Sequence, residues 1–250
     1  FYDLIKKATD TDFGKDHKFH KIKDYTDFQA EVPVRDYEGL RPYVEKMLSG
    51  KASVLWPGKP LYFAKTSGTT SGVKYIPISK ASMPTHIRAA RDALLNYINK
   101  TGNADFVKGK QIFLQGSPIL EKTKEGITYG RLSGIVAHYV PKYLQKSRMP
   151  SWENNCIDDW ETKVNAIVEE TFSENMTLIA GIPSWVQMYF EKLIEKSNLP
   201  VGEKFKNFSL FVYGGVNYEP YRPMFEKLIG RKVDSIELFP ASEGFFAYQD

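Results

Sequence analysis

The stretch at residues 61–78 reads Leu-Tyr-Phe-Ala-Lys-Thr-Ser-Gly-Thr-Thr-Ser-Gly-Val-Lys-Tyr-Ile-Pro-Ile, and it predicts two apolar strands joined by a polar loop. The loop, residues 66–74, combines two glycines with small hydroxyl side chains and one cation, Lys74. Gly68 and Gly72 permit a positive φ, so that neighbouring backbone N–H groups can converge on an anion. The stretch therefore predicts a phosphate-binding loop at the tip of a hairpin, with a plain polar turn as the alternative.

This loop differs from the phosphate-binding loop of nucleoside triphosphatases, G-x-x-x-x-G-K-[ST]. Three residues separate Gly68 from Gly72, and a tyrosine, Tyr75, follows Lys74. The loop also leads into a predicted strand, whereas the nucleoside triphosphatase loop opens a helix. The sequence therefore predicts a different class of phosphate site.

The whole chain has the composition of a globular protein. Its 250 residues are 42% hydrophobic and 14% aromatic, which is enough for a substantial core. No apolar run approaches the ~18 residues that a membrane span needs, and the amino terminus lacks the apolar core of a signal peptide. We therefore expect a cytoplasmic protein that does not contact a membrane.

The cysteine count and the charge distribution argue against several further classes of protein. Cys156 is the single cysteine, which excludes an internal disulfide, and the four histidines match no zinc-binding spacing. The net charge of +4 comes from lysines spread along the chain and not from a basic stripe. Nucleic acid is therefore not an expected partner. A diffuse positive charge is compatible with small anionic ligands.

Hydrophobic periodicity predicts a helical arm over residues 1–60, followed by an α/β domain over residues 61–250. In the second half, helices and strands alternate, which favours mostly parallel sheets flanked by helices. The predicted helices after the loop are residues 79–99, 158–172, a segment opened by Pro183, and 218–229. The predicted strands are residues 111–115, one or two short strands within 127–140, and residues 177–182, 208–213 and 233–239.

Two of these predicted strands end in residues that a core would not require. Tyr213-Gly214-Gly215 follows one strand, and paired glycines there allow a flat ligand or another backbone to approach. Phe239-Pro-Ala-Ser242-Glu243-Gly follows the next strand, and the Glu243 carboxylate could hold Mg²⁺ on a nucleotide. A tight turn and a helix cap are the respective structural alternatives.

Taken together, these pieces resemble the adenylate-forming superfamily, and within it the auxin-responsive promoter family of acyl acid–amido synthetases. Residues 66–77 look like its first ATP motif and residues 239–244 like its second, although Phe239 stands where the family more often has tyrosine. Further similar segments are Tyr213-Gly-Gly, Gly181-Ile-Pro-Ser-Trp185, Val32-Pro-Val-Arg-Asp-Tyr37 and Val54-Leu-Trp-Pro-Gly58. The resemblance spans the chain.

The resemblance implies the large-domain fold of adenylate-forming enzymes, with ATP and Mg²⁺ as cofactors. The reaction it implies is adenylation of a carboxylic acid, followed by amide formation with an amino acid or another amine. Lys74 and Glu243 would be catalytic, and Glu243 would also hold the metal. The remaining nucleotide-binding residues would be Ser67, Gly68, Thr69, Thr70, Ser71, Tyr213, Gly214, Gly215, Phe239 and Ser242.

Family members run to roughly twice this length, beyond one typical domain. Residues 61–250 are accordingly expected to be the ATP-binding part of the large adenylation domain, with the carboxyl-terminal domain absent from this chain. Arg131 could pair with the substrate carboxylate, and Trp185 could line the acyl pocket, with a surface arginine and a core aromatic as the alternatives. An acid–coenzyme A ligase and a non-catalytic nucleotide-binding or interaction module are the alternative functions.

Overall fold

The computed structural model describes residues 1–67 and 72–249, and it confirms the predicted α/β class. The chain divides into two compact units, Phe1–Met83 with Leu120–Leu132 and Pro84–Ile119 with Ser133–Asp250. The first unit contains both the helical segments before residue 60 and the hairpin after it, and the division at residue 60 stays a prediction. That the chain forms part of an adenylation domain stays a prediction.

Helices occupy much of the described chain. In chain order they are α1 Tyr2–Ala8, α2 Asp12–Asp16, α3 Tyr25–Glu31, α4 Tyr37–Leu48, α5 Met83–Thr101, α6 Leu132–Ala137, α7 Lys142–Gln145, α8 Trp152–Asn155, α9 Trp160–Thr171, α10 Pro183–Ser197, α11 Val201–Lys204 and α12 Arg222–Ile229. Short 3₁₀ turns lie at Phe19–Lys21 and Asp105–Val107. None of the helices in the described residues is long and apolar enough to cross a membrane.

The strands build one sheet in each unit. They are β1 Tyr62–Ser67, β2 Val73–Ile78, β3 Lys110–Leu114, β4 Glu121–Lys122, β5 Thr128–Gly130, β6 Arg148–Met149, β7 Met176–Gly181, β8 Leu210–Gly214, β9 Asp234–Ala241 and β10 Gly244–Tyr248.

The first unit contains a sheet whose described strands run in the order β2-β1-β5-β4. Strands β1 and β2 form the antiparallel hairpin that the sequence predicts, and β5 pairs with β1 in parallel. Helix α4 begins where the Asp36 carboxylate accepts a hydrogen bond from Gly39 N at 2.9 Å. Its apolar side packs with Phe63 of β1 and with Val54, both of which are fully buried.

The second unit contains a sheet whose described strands run in the order β10-β9-β8-β7-β3-β6. All neighbours are parallel except β10, which turns back antiparallel to β9. Consecutive residues of β7 belong to different cores: Ile179 packs with α9, α10 and α12, and Leu178 packs with Tyr97 of α5. Because side chains alternate along a strand, these cores lie on opposite faces, as expected for a buried parallel sheet.

The sequence predicts one or two short strands within residues 127–140, and the structure has the first of them, near Gly130, but a helix where the second would lie. Only Thr128–Gly130 is a strand, and Leu132–Ala137 forms α6. Gly134 lies in this helix, where a Cβ would come within 2.9 Å of Ser117 O. Close packing of α6 against the segment after β3 therefore decides the local structure, and sequence periodicity does not report such packing.

Candidate functional site

The hairpin β1–β2 sets the base of the predicted phosphate loop. Thr66 pairs with Lys74 and Ser67 with Val73, so Lys74 stands just inside the mouth of the loop. Gly72 has φ +77°, as the loop chemistry requires, and nothing lies within 4 Å of the position that a Cβ would take. The predicted phosphate ligands Gly68, Thr69, Thr70 and Ser71 lie outside the described residues, as does the side chain of Ser67.

The side chain of Lys74 is half-buried and lies against an aromatic ring. Its Nζ is 5.5 Å from the ring centroid of Tyr37, the first residue of α4. The Tyr37 hydroxyl oxygen also accepts a hydrogen bond from the backbone N–H of Tyr75 at 2.9 Å. Tyr37 therefore contacts both the side chain of Lys74 and the backbone of the residue beside it.

Arg131 lies in the same unit as the hairpin. It is exposed and falls between β5 and α6. Its assignment to a substrate carboxylate stays a prediction.

In the second unit the strand register brings several predicted residues to one edge. Gly181 pairs with Tyr213, and Gly214 pairs with Leu238, so β7, β8 and β9 reach their carboxyl ends together. Gly215 and Phe239 are the next residues on neighbouring strands, at a strand spacing of about 4.8 Å. The carboxyl edge of a parallel sheet is where α/β proteins bind ligands.

The two glycines at this edge have different structural roles. A Cβ on Gly214 would lie 2.2 Å from Leu238 O, so the close approach that this glycine permits is that of the next strand. Gly215 is exposed with φ +85°, and its virtual Cβ meets only Ile182, at 3.6 Å. Gly215 therefore leaves its backbone open to a ligand.

Tyr213 belongs to the core of the second unit. Only 5% of the residue is exposed, and its ring lies 4.5 Å from that of Tyr218, centroid to centroid. Burial, and then the Glu237 carboxylate, raise the pKa of Tyr213. The assignment of Tyr213 to an adenine pocket stays a prediction, and Gly215 presents more open surface at this edge.

Strands β9 and β10 form a hairpin whose two-residue turn is Ser242-Glu243. Glu243 is exposed at this turn. Phe239 is 57% exposed, and its ring centroid lies 5.4 Å from that of Phe246 on β10. An exposed ring of this kind offers a stacking surface on the same hairpin as the exposed Glu243.

Trp185 lies in the first turn of α10, just after β7. It is half-buried, and its ring centroid is 4.4 Å from that of Trp160 at the start of α9. The two indoles form a pair at one end of their helices, and the role of Trp185 in an acyl pocket stays a prediction.

The carboxylate of Glu243 is of the type that magnesium accepts, and its role as a metal ligand stays a prediction. Within the described residues, no group of three or more His, Cys, Asp or Glu side chains could hold a metal ion. Mg²⁺ usually binds through one or two carboxylates together with phosphates and water. The exposed Glu243 could therefore contribute one ligand, with phosphate and water supplying the others.

Sequence reasoning missed the contacts of Tyr37. The sequence indicates Tyr37 as the first residue of a helix capped by Asp36 and as part of a family-like segment. Its contact with Lys74 joins residues far apart in sequence, so no local pattern could indicate it.

The fold is that of adenylate-forming ligases. A structure described as "GH3.15 acyl acid amido synthetase" matches with a TM-score of 0.74 and 12% identity over 99% of this chain. A second, "AtGH3.15 acyl acid amido synthetase in complex with 2,4-DB", matches with a TM-score of 0.71 and 14% identity over 97% of the chain. A 2-hydroxyisobutyryl-CoA ligase bound to 2-HIB-AMP and CoA matches with a TM-score of 0.62 and 13% identity over 96% of the chain.

The family model described as "GH3 family N-terminal domain" matches residues 1–157. The chain therefore belongs to the GH3 family. It spans about half of each matched structure, 52%, 52% and 48% respectively. A comparison with curated proteins gave no match.

Proposed function

We propose that this chain is the ATP-binding portion of a ligase that adenylates a carboxylic acid and then transfers the acyl group to an amino acid or another amine. The observation that carries the proposal is the hairpin β1–β2, which places Lys74 opposite Thr66 at the mouth of a donor-rich loop in a GH3-family chain. The fold shared with acyl acid amido synthetases supports it.

In the proposed first half-reaction, a carboxylate oxygen of the substrate bonds to the α-phosphorus of ATP. The bond to the bridging oxygen breaks, and pyrophosphate leaves. In the second half-reaction, an amine nitrogen bonds to the acyl carbon, AMP leaves with the electron pair, and the nitrogen loses a proton. Positioning and electrostatic stabilisation of the phosphates can supply most of the rate enhancement for such steps.

We propose that the loop residues and Lys74 bind the phosphates of ATP and that Ser242 lies near the α-phosphate. The loop residues in this assignment are Ser67, Gly68, Thr69, Thr70 and Ser71. Glu243 would hold Mg²⁺, which neutralises phosphate charge when bound. Gly215 and Phe239 would flank the adenine, together with the strand ends at Tyr213 and Gly214.

The acyl substrate would contact Arg131 and Trp185. A guanidinium matches the geometry of a carboxylate, and an indole offers an apolar wall. We expect a carboxylic acid and an amine, such as an amino acid, as the partners of the complete protein.

A second candidate is an acid–coenzyme A ligase, which shares the first half-reaction. The fold similarity to the 2-hydroxyisobutyryl-CoA ligase supports this alternative. The two functions differ only in the acceptor of the acyl group.

The test is ATP–pyrophosphate exchange by the full-length protein with a panel of carboxylic acids. We expect exchange with at least one acid. That acid is then incubated with ATP and either mixed amino acids or coenzyme A, and the products are identified by mass spectrometry. An amide supports the proposal, whereas a thioester identifies the coenzyme A ligase.

The absence of exchange with every acid would contradict both ligase functions. If the protein then still bound ATP, the result would identify a non-catalytic nucleotide-binding module.

A further inference from the structure

A cavity of about 340 Å³ lies at the β6 edge of the second unit's sheet, and its size is within the range of small-ligand sites. Its lining includes Arg148, His138, Ser151 and Trp152. Strands β8, β7 and β3 separate β6 from β9, which places this edge about 19 Å from the β9 strand end assigned to ATP. The cavity is therefore separate from the proposed adenine site.

Arg148 supplies an accessible positive charge to this cavity. Within the described residues its guanidinium forms no salt bridge, and its one hydrogen bond runs from Nη1 to Ala137 O at 3.3 Å. Burial lowers the pKa of this guanidinium. The side-chain atoms that are both buried and unpaired in the described chain belong to other residues, so the remaining N–H groups of Arg148 are open to solvent. A half-buried cation without a counter-anion favours the binding of an anion.

Trp152 adds a second donor to the wall. The residue is 51% exposed, and its ring packs edge-on against the imidazole of His138 at 4.9 Å between centroids. No group in the described part of the chain accepts a hydrogen bond from its Nε1–H. Because an indole N–H can only donate, it suits an oxygen of the same anion.

His138 supplies an acceptor. Its Nε2 lies 3.0 Å from Pro118 O, and because a carbonyl can only accept, Nε2 carries the proton of the neutral ring. The Nδ1 atom is then an acceptor on an exposed residue. An anion that also carries a proton can therefore satisfy all three side chains, whereas a fully deprotonated anion cannot.

We propose that this cavity binds inorganic phosphate. Arg148 and Trp152 donate to its oxygens, and its remaining O–H group donates to His138 Nδ1. Hydrogen phosphate keeps that proton near neutral pH, whereas sulfate and the dianion of a phosphate monoester have none. The site goes beyond the proposed function because it needs neither ATP nor a carboxylic acid.

The test is an NMR titration of the full-length protein at pH 8 and constant ionic strength, without ATP. The ligands are inorganic phosphate, sulfate and phenyl phosphate, and the signal is the indole N–H resonance of Trp152, assigned with Trp152→Phe. We expect phosphate to shift this resonance. It should bind about two- to tenfold more tightly than sulfate or phenyl phosphate, since only phosphate can donate to His138.

Two variants separate the contacts. Arg148→Met should weaken phosphate binding at least about tenfold. His138→Phe removes the acceptor and should bring the affinities for phosphate and sulfate to about the same value. The matched control is Arg91→Met, which removes an exposed arginine paired with Asp92 in the same unit and should change nothing.

Location and folding need their own controls. Lys74→Ala alters the proposed ATP loop and should leave the Trp152 titration unchanged, which separates this cavity from phosphate bound at the loop. Thermal unfolding checks that each variant is folded. Arg148→Lys keeps the charge but loses the planar fork, so it should bind phosphate with intermediate affinity.

Four results would overturn the proposal: no shift of the Trp152 resonance at ~10 mM phosphate, sulfate or phenyl phosphate binding as tightly as phosphate, equal binding by Arg148→Met and Arg91→Met, or loss of the shift in Lys74→Ala. The outcome does not depend on pyrophosphate exchange, because no ATP is present.

Discussion

Lys74 has its backbone fixed in β2 and its Nζ placed over the ring of Tyr37. If it contacts phosphate as proposed, Lys74→Ala should lower the rate of ATP–pyrophosphate exchange by about 10²- to 10³-fold, as for other lost transition-state donors. Lys80→Ala, at an exposed position just after β2, is the control and should exchange at the wild-type rate. Wild-type exchange by Lys74→Ala would remove this lysine from the site.

Tyr37 has two contacts that substitution can separate. Tyr37→Phe keeps the ring below Lys74 but loses the hydroxyl that accepts from Tyr75 N, and we expect a loss of about 0.5–1.5 kcal/mol in the free energy of unfolding. Tyr37→Leu loses both contacts and should also raise the KM for ATP. Urea unfolding and exchange kinetics measure the two effects.

One outcome would contradict the proposed role of the Tyr37 ring. If Tyr37→Leu and Tyr37→Phe had the same KM for ATP, the ring would not position Lys74. Tyr25→Phe, which alters an exposed tyrosine in α3, controls for loss of a surface hydroxyl.

The junction of β8 and β9 depends on two glycines for different reasons. Gly214→Ala places a Cβ 2.2 Å from Leu238 O, so the two strands must separate. We expect a loss on the order of 3 kcal/mol in the free energy of unfolding. Gly215→Ala has room for its Cβ. It should lose only about 1–2 kcal/mol in the free energy of unfolding, because alanine is strained at a φ of +85°. Urea unfolding of both variants checks this order, and the reverse order would contradict it.

Helix α5 is joined to β9 by a hydrogen bond from the Tyr97 hydroxyl to Asp234 Oδ2 at 2.7 Å. Burial, and then this bond, raise the pKa of Tyr97 to about 12. Unfolded tyrosine loses its proton near pH 10, whereas folded Tyr97 keeps it. Its contribution to stability is therefore complete below pH 10 and is lost as the pH rises towards 12.

We expect the free energy of unfolding to decrease between about pH 9 and about pH 11, and Tyr97→Phe to make this decrease smaller. Urea unfolding at the two pH values measures the slope. Burial raises the pKa of Tyr218 to about 12 as well, so some dependence should persist in the variant. An unchanged slope would show that Tyr97 does not contribute.

At the scale of the whole molecule, each compact unit has its own core. Among the described residues, Phe63 belongs to a core cluster built from the first unit, and Phe190 belongs to one built from the second. Phe63→Ala should destabilise the first unit by about 3–5 kcal/mol. Hydrogen exchange should show faster exchange in β1 and α4 but not in β7 and β8. Equal acceleration in both units would indicate a single cooperative core.

Much of the fold could be predicted from the sequence because local patterns determine it. The alternation of apolar strands and amphipathic helices after residue 158 gave the parallel sheet, and the register then brought Gly215 and Phe239 to neighbouring strand ends. The optional second strand around Gly134 is a helix in the structure, Leu132–Ala137, and its close packing against the segment after β3 has no local sequence signature. Antiparallel pairing of β10 was also not predicted.

The site was only partly predictable. Glycine-rich turns and strand-end carboxylates have local signatures, so Gly72 and Glu243 could be proposed from sequence. The contact of Tyr37 with Lys74 joins segments distant in sequence, and no spacing indicates it. The part of the loop at residues 68–71 lies outside the described residues, and its role stays a prediction.

The hydroxyl of Tyr37 has a consequence for assembly as well as for the site. Strand β2 is an edge of its sheet, and an open edge can recruit a strand from a second molecule. The hydrogen bond from Tyr75 N to Tyr37 occupies one of the amides that such a strand would need. The side chain that lies against Lys74 therefore also occupies one backbone position at which a second strand could pair with β2.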